Sequence, residues 1–121
     1  MNRLRIYVAG PYCPRGVTEH DCSRIAQYNV DKAIEIANAI MDKGHYVHVP
    51  HLTHYMHIHY SCKKDRYNWY YEYDNSFLLI WANALYFIGH SKGATAELEL
   101  AESVGYPIFT ALHQIPEYVR T

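Results

Sequence analysis

Ala84-Leu85-Tyr86-Phe87-Ile88-Gly89-His90-Ser91-Lys92-Gly93-Ala94-Thr95-Ala96-Glu97-Leu98 runs from a short apolar, β-favouring stretch through a loop bounded by glycines into a helix-favouring segment. This is a strand, a turn and a helix in succession, the unit from which parallel sheets are built. The same grammar repeats outward. Ile6-Tyr7-Val8-Ala9 ends at Gly10-Pro11, Tyr46-Val47-His48-Val49 ends at Pro50, and Pro107-Ile108-Phe109-Thr110 makes a further strand. Between them, Val30, Ala33, Ile34, Ala37, Ile40 and Met41 recur at helical spacing, with Gly44 placed as a left-handed C-terminal cap. Helical stretches are also predicted from about Trp69 to Trp81 and from about Gly93 to Val104. Alternation of this kind predicts an α/β protein with a parallel sheet of four or five strands between two helical layers. Ligands in such sheets bind beyond the carboxyl ends of the strands, which gathers Gly10 to Tyr12, Pro50 to His54 and Gly89 to Gly93 around one crevice.

With 121 residues, 50% of them hydrophobic, the chain supports one core and is read as a single domain over 1–121. A formal net charge of -1 provides no broad positive field, so a nucleic acid polymer or an anionic membrane surface is not the expected partner. A small nucleotide held by local donors is compatible with it. Cys13, Cys22 and Cys62 are odd in number and show no C-x-x-C spacing, which argues against a disulfide framework and for a reducing, cytoplasmic setting. The N-terminus lacks a secretory pattern, and Phe77 to Ile88 is shorter than the roughly 20 apolar residues of a membrane span, so a soluble protein is expected.

Two carboxylates fall on faces where solvent is not expected. On the last long helix Ala94, Leu98, Ala101 and Gly105 form an apolar stripe; at 100° per residue Glu97 lies about 40° from Ala101, and Glu99 about 160°. Glu97 therefore faces inward and Glu99 outward. A capping box does not account for Glu97, because position 94 is Ala94, whereas an acid that complements the helix dipole remains a structural alternative. The same dipole would lower its pKa and keep it ionised near neutral pH, ready to act as a nucleophile. Asp74 sits among Tyr70, Phe77, Leu78 and Trp81 at helical spacing, where an unpaired charge is costly. It is either a structural acid bonded to a tyrosine or a backbone amide, or the second member of a catalytic pair. Glycoside cleavage commonly uses two carboxyl groups.

Gly89-His90-Ser91-Lys92-Gly93 offers backbone N–H groups and a hydroxyl to an anion, although a serine before a helix also serves as an ordinary N-cap. Taken together, Tyr7-Val8-Ala9-Gly10-Pro11-Tyr12, Trp69 with Asp74, and Ser91 to Ala101 resemble the nucleoside 2-deoxyribosyltransferase superfamily, which includes the 2′-deoxynucleoside 5′-monophosphate N-glycosidases. The likeness extends from the first strand to Thr110, and its sharpest part is Gly93, Ala94, Glu97 and Ala101.

The resemblance implies a Rossmann/flavodoxin-like fold, no cofactor and a homo-oligomer; no bound metal is expected either, given the spacing of the histidines. It makes Glu97 the nucleophile that forms a covalent glycosyl-enzyme, Tyr7 the hydroxyl that orients it, and Asp74 the acid near the sugar and leaving base, with Asn75 one residue away as the alternative register. It places Gly10, Pro11, Tyr12, His51, Ser91 and Gly93 around the substrate, with Ser91 at a 5′-phosphate. Pro11 stands where the monophosphate enzymes have a phosphate-binding serine, which argues against phosphate binding by this turn; Glu117 to Thr121 lacks the transferases' C-terminal pattern, which favours hydrolysis over base exchange.

His48, His51, His54 and His57 recur every third residue with His45 and His59 nearby, an invitation to a metal that Pro50 and the absence of a zinc-helix spacing weaken. The expected arrangement is a loop over the crevice in which His51 and His54 meet substrate and the other histidines are exposed. Thirteen tyrosines, Tyr67, Tyr70, Tyr71 and Tyr73 among them, are candidates for stacking on a base or for core and subunit contacts. Lys63, Lys64 and Arg66 are interrupted by Asp65 and do not make an RNA surface. Besides an N-glycosidase or transferase, two classes stay open: a noncatalytic nucleotide-binding module and a metal-dependent hydrolase built on the histidines.

Overall fold

The computed structural model describes residues 2–13, 18–59 and 67–119, with the backbone alone at 19, 57, 67 and 68. Cys62, the Lys63, Lys64, Asp65 and Arg66 cluster, the rings of His57 and Tyr67, and the terminal Arg120 and Thr121 lie outside the described side chains. Four parallel strands, β1 (Arg5–Ala9), β2 (Tyr46–His48), β3 (Ala84–Phe87) and β4 (Ile108–Phe109), form one sheet in the order β2-β1-β3-β4. Helix α1 (Glu19–Asp42) joins β1 to β2. A 3-10 turn (Pro50–Leu52), α2 (Thr53–Ile58), α3 (Tyr67–Ser76) and a π-helical turn (Phe77–Trp81) lie between β2 and β3, and α4 (Lys92–Ser103) leads into β4. The expected three-layer α/β architecture with an all-parallel sheet is present.

Alternation along β1 divides the core. Ile6 and Val8 pack with Ala33, Ile36 and Ile40 of α1, while Tyr7 and Ala9 pack with Leu78, Ala94 and Ala101 on the other face. Because β1 has strands on both sides, its side chains are removed from water on both faces, as the unbroken apolar run requires. Gly10 closes the strand where an added Cβ would lie 2.9 Å from the Cβ of Ile88, so the chain turns hard against the exit of β3.

Helix α1 starts well before Val30. Thr18 caps it by accepting the Asp21 amide at 3.2 Å, and Gly44 ends it at φ 92°, the left-handed cap the sequence predicts. The early turns escape the apolar pattern because His20, Asp21 and Arg24 belong to turns from which only part of one face, at Ala26, is buried. Ile36 joins the buried stripe in place of Met41, which is about half exposed.

Two expectations are corrected. Cys13 and Cys22 form a disulfide that ties the turn after β1 to the first turn of α1. An odd cysteine count argues against a framework, but it does not bear on a single bridge between segments that the fold itself brings to a Cα separation of 5.4 Å. The cysteine pattern therefore gives no ground for a reducing compartment. The stretch after Pro50 is helical, where a loop was expected, and it buries His51 and His54. Among the described residues, no helix is long and apolar enough to cross a membrane.

Candidate active site

Tyr7 in the middle of β1 is wholly buried, and its hydroxyl donates a hydrogen bond to Oε2 of Glu97 on α4. β1 and β3 are neighbours, and α4 follows β3 directly, which lowers the Glu97 carboxyl onto the face of β1 that carries Tyr7. Glu99 on the same helix is exposed, so the helical-wheel separation of the two acids holds. Asp74 comes from α3 on the same side of the sheet, and its charge acts on both Tyr7 and Glu97.

The ionisation expected for Glu97 is corrected. Burial, together with the Asp74 charge, pushes its carboxyl up to about 7 against the opposing hydrogen bond from Tyr7. The dipole fails to hold it down because α4 begins at Lys92 with Ser91 as N-cap, so Glu97 lies in the second turn, and the field of a helix end fades within the first. Burial and the neighbouring Glu97 carboxylate also drive the Tyr7 phenol far above its ordinary value, which keeps it a donor.

Asp74 is raised by burial and lowered by a hydrogen bond and charge from His48. Nε2 of His48 lies 3.3 Å from Oδ1 of Asp74, so its buried partner is an imidazole, where a tyrosine or backbone amide was expected. The parallel register sets His48 of β2 directly beside Tyr7, with ring centroids 5.5 Å apart, and its imidazole stacks on Phe77 at 4.1 Å and 10°. Here a half-buried His48 was expected to be exposed. The signal that marks it is the Val47-His48-Val49 alternation, a polar residue inside an otherwise apolar strand.

Pro11, Tyr12, His51 and His54 form a second cluster with its own bonds, while Ser91 and Gly93 lie at the start of α4. His51 Nε2 donates to the Pro11 carbonyl at 3.0 Å, Asn29 Nδ2 donates to the Tyr12 carbonyl at 2.7 Å, and the Tyr12 hydroxyl meets His54 Nδ1 at 2.6 Å. His51 is buried, and burial lowers its pKa, so it braces the Gly10 to Tyr12 turn as a neutral imidazole instead of reaching into a crevice. Burial, with a smaller contribution from Tyr70, raises the Tyr12 phenol to about 12. Ser91 accepts the Ala94 amide at 3.0 Å, the N-cap role allowed for it, and Gly93 has open space where a Cβ would project. His45, also expected to be exposed, is buried between the Leu4 amide and the Pro116 carbonyl.

With His45, His48, His51 and His54 directed at separate partners, no group of three metal-ligating side chains occurs among the described residues. A groove of about 620 Å³ runs along the β2 edge past Ile34, Met41, Val47, Thr53 and Tyr73 and touches the acid cluster through His48. A half-buried carboxyl that ionises near neutral pH, bonded to a phenol and within the field of a second acid, is suited to attack on an electrophilic carbon or to proton transfer. No family model, no curated protein and no solved structure matches the chain.

Proposed function

We propose that the protein cleaves the N-glycosidic bond of a (deoxy)nucleoside 5′-monophosphate or nucleoside through a covalent glycosyl-Glu97 intermediate. The observation that carries this is the Tyr7 hydroxyl bound to the Glu97 carboxyl with the Asp74 charge acting on both. Glu97, as carboxylate, forms a bond to C1′ while the C1′–N bond breaks. The base leaves with that electron pair and takes up a proton from solvent. Water then attacks C1′, its proton passes to Asp74, and Glu97 is released. Tyr7 steers the nucleophile. Ser91 holds the 5′ end, the Gly10 to Tyr12 turn borders the substrate, and a second copy of the chain in a homo-oligomer completes the site. Cytoplasmic nucleotide metabolism is the setting that goes with this chemistry.

A panel of ribo- and deoxynucleotides and nucleosides, read by chromatography of released bases, tests the proposal. Base release from at least one deoxynucleotide, abolished in Glu97→Ala, is expected. Intact substrates across the whole panel overturn it.

A further inference from the structure

We infer that His48 is a positioning residue that holds Asp74 as the ionised member of the carboxyl pair and thereby assigns the pair's shared proton to Glu97. Two acids close enough for the charge of one to oppose ionisation of the other do not both ionise readily, and which of them keeps the proton is decided by their other partners. Glu97 has a neutral phenol as its donor, whereas Asp74 has an imidazole at 3.3 Å. An imidazole that can carry charge favours the carboxylate beside it more strongly than a phenol does.

The position of His48 is well determined by its surroundings. β2 pairing sets it beside Tyr7, and the Phe77 ring lies parallel to the imidazole at 4.1 Å, which leaves Nε2 aimed at Asp74. The titratable groups around this pair are Tyr7 from β1, Tyr71 and Tyr73 from α3, and Glu97 from α4. Tyr7 is held as a donor by burial, and the hydrogen bond and charge of His48 are the influences that favour the Asp74 carboxylate in this cluster.

The inference rests on the glycosidase reading only for what it adds to chemistry: an ionised Asp74 is the base that accepts the proton of the attacking water. The site must then lose the Glu97 proton to solvent before attack, and the rate rises as pH passes about 7.

The test compares wild type, His48→Phe and His48→Gln by carbon-detected NMR titration of the Asp74 and Glu97 carboxyls, which needs no substrate. In His48→Phe the Asp74 midpoint moves up and the Glu97 midpoint moves down, so that the order of ionisation reverses. His48→Gln restores a hydrogen-bond donor without charge and falls between. The acid limb of base release moves to higher pH in His48→Phe, because Asp74 has become the last group to ionise. An Asp74 midpoint that stays put in both variants overturns the inference. If His48→Phe does not fold, an unmoved Asp74 midpoint in His48→Gln overturns it alone. A wild type that releases no base overturns the proposed reaction, while the titrations still decide the role of His48.

Discussion

Ile6 and Val8 turn from β1 toward Ala33, Ile36 and Ile40 of α1, whereas Tyr7, between them in sequence, turns toward α3 and α4 and is bonded to a carboxyl group with a second acid and an imidazole close by. One strand thus has a face that stabilises the fold and a face that burdens it. Packing on the α1 side removes apolar surface from water at no electrostatic cost. On the other side, Glu97 and Asp74 are both raised by burial, so each is held where its charged form is disfavoured. Strain of that kind persists when the surrounding core is strong enough to enforce it, and groups with displaced pKa values gather at sites of chemistry.

The contrast breaks most visibly at Glu97. In Glu97→Gln the amide still accepts from Tyr7 but cannot attack C1′, so base release falls by at least about 10³-fold while the fold is kept. Chromatographic rates on purified variant and wild type measure this. A variant that retains more than a tenth of the activity makes the α3/α4 face merely structural.

Across the strand the opposite outcome is expected. Ile40 is fully buried in the α1 cluster, and Ile40→Ala removes packing that the rigid sheet cannot recover, costing about 3 to 4 kcal/mol in denaturant unfolding. Activity per folded molecule stays near wild type. A large loss of turnover in the folded variant would erase the division between the faces.

The pH dependence of stability sharpens the comparison further. Glu97 has a folded-state pKa of about 7 against an ordinary 4.5, so the folded state binds its proton more tightly than the unfolded state does. Its stabilising contribution is complete below pH 4.5 and is lost as pH rises through about 7. Glu97→Gln removes that loss: the variant matches wild type at pH 4 and exceeds it by on the order of 1 to 3 kcal/mol at pH 8. Thermal unfolding at the two pH values reads the difference, and equal stability at pH 8 would mean that the carboxyl is better solvated than its surroundings indicate.

The four strands and the apolar parts of α1, α3 and α4 are legible because each carries its own period: apolar runs before Gly10, Pro50 and Gly89, and the i, i+3/i+4 stripe through Ala94, Leu98 and Ala101. The inward turn of Glu97 followed from the same wheel. His48 did not emerge, because its role depends on the register of β2 against β1 and on Asp74, twenty-six residues away, neither of which is a local property. The Cys13–Cys22 bridge depends on how the turn after β1 meets α1, and the ionisation of Glu97 on its depth, which a helical wheel does not give.

The smallest effect is expected at Ser91, where two roles meet on one hydroxyl. Its oxygen accepts the Ala94 amide and caps α4, so Ser91→Ala costs about 1 kcal/mol of stability. The hydroxyl proton is still available to donate, which lets the same group cap the helix and bond a 5′-phosphate oxygen at once. Ser91→Asp separates these roles. A carboxylate remains a good cap acceptor and suits the positive end of α4, so stability is retained, but it repels phosphate. The expected signature is a KM that rises for a monophosphate and stays unchanged for the matching nucleoside, with a melting temperature at or above wild type. Equal KM changes for both substrates would leave Ser91 a cap alone and move the 5′ end of the substrate away from the start of α4.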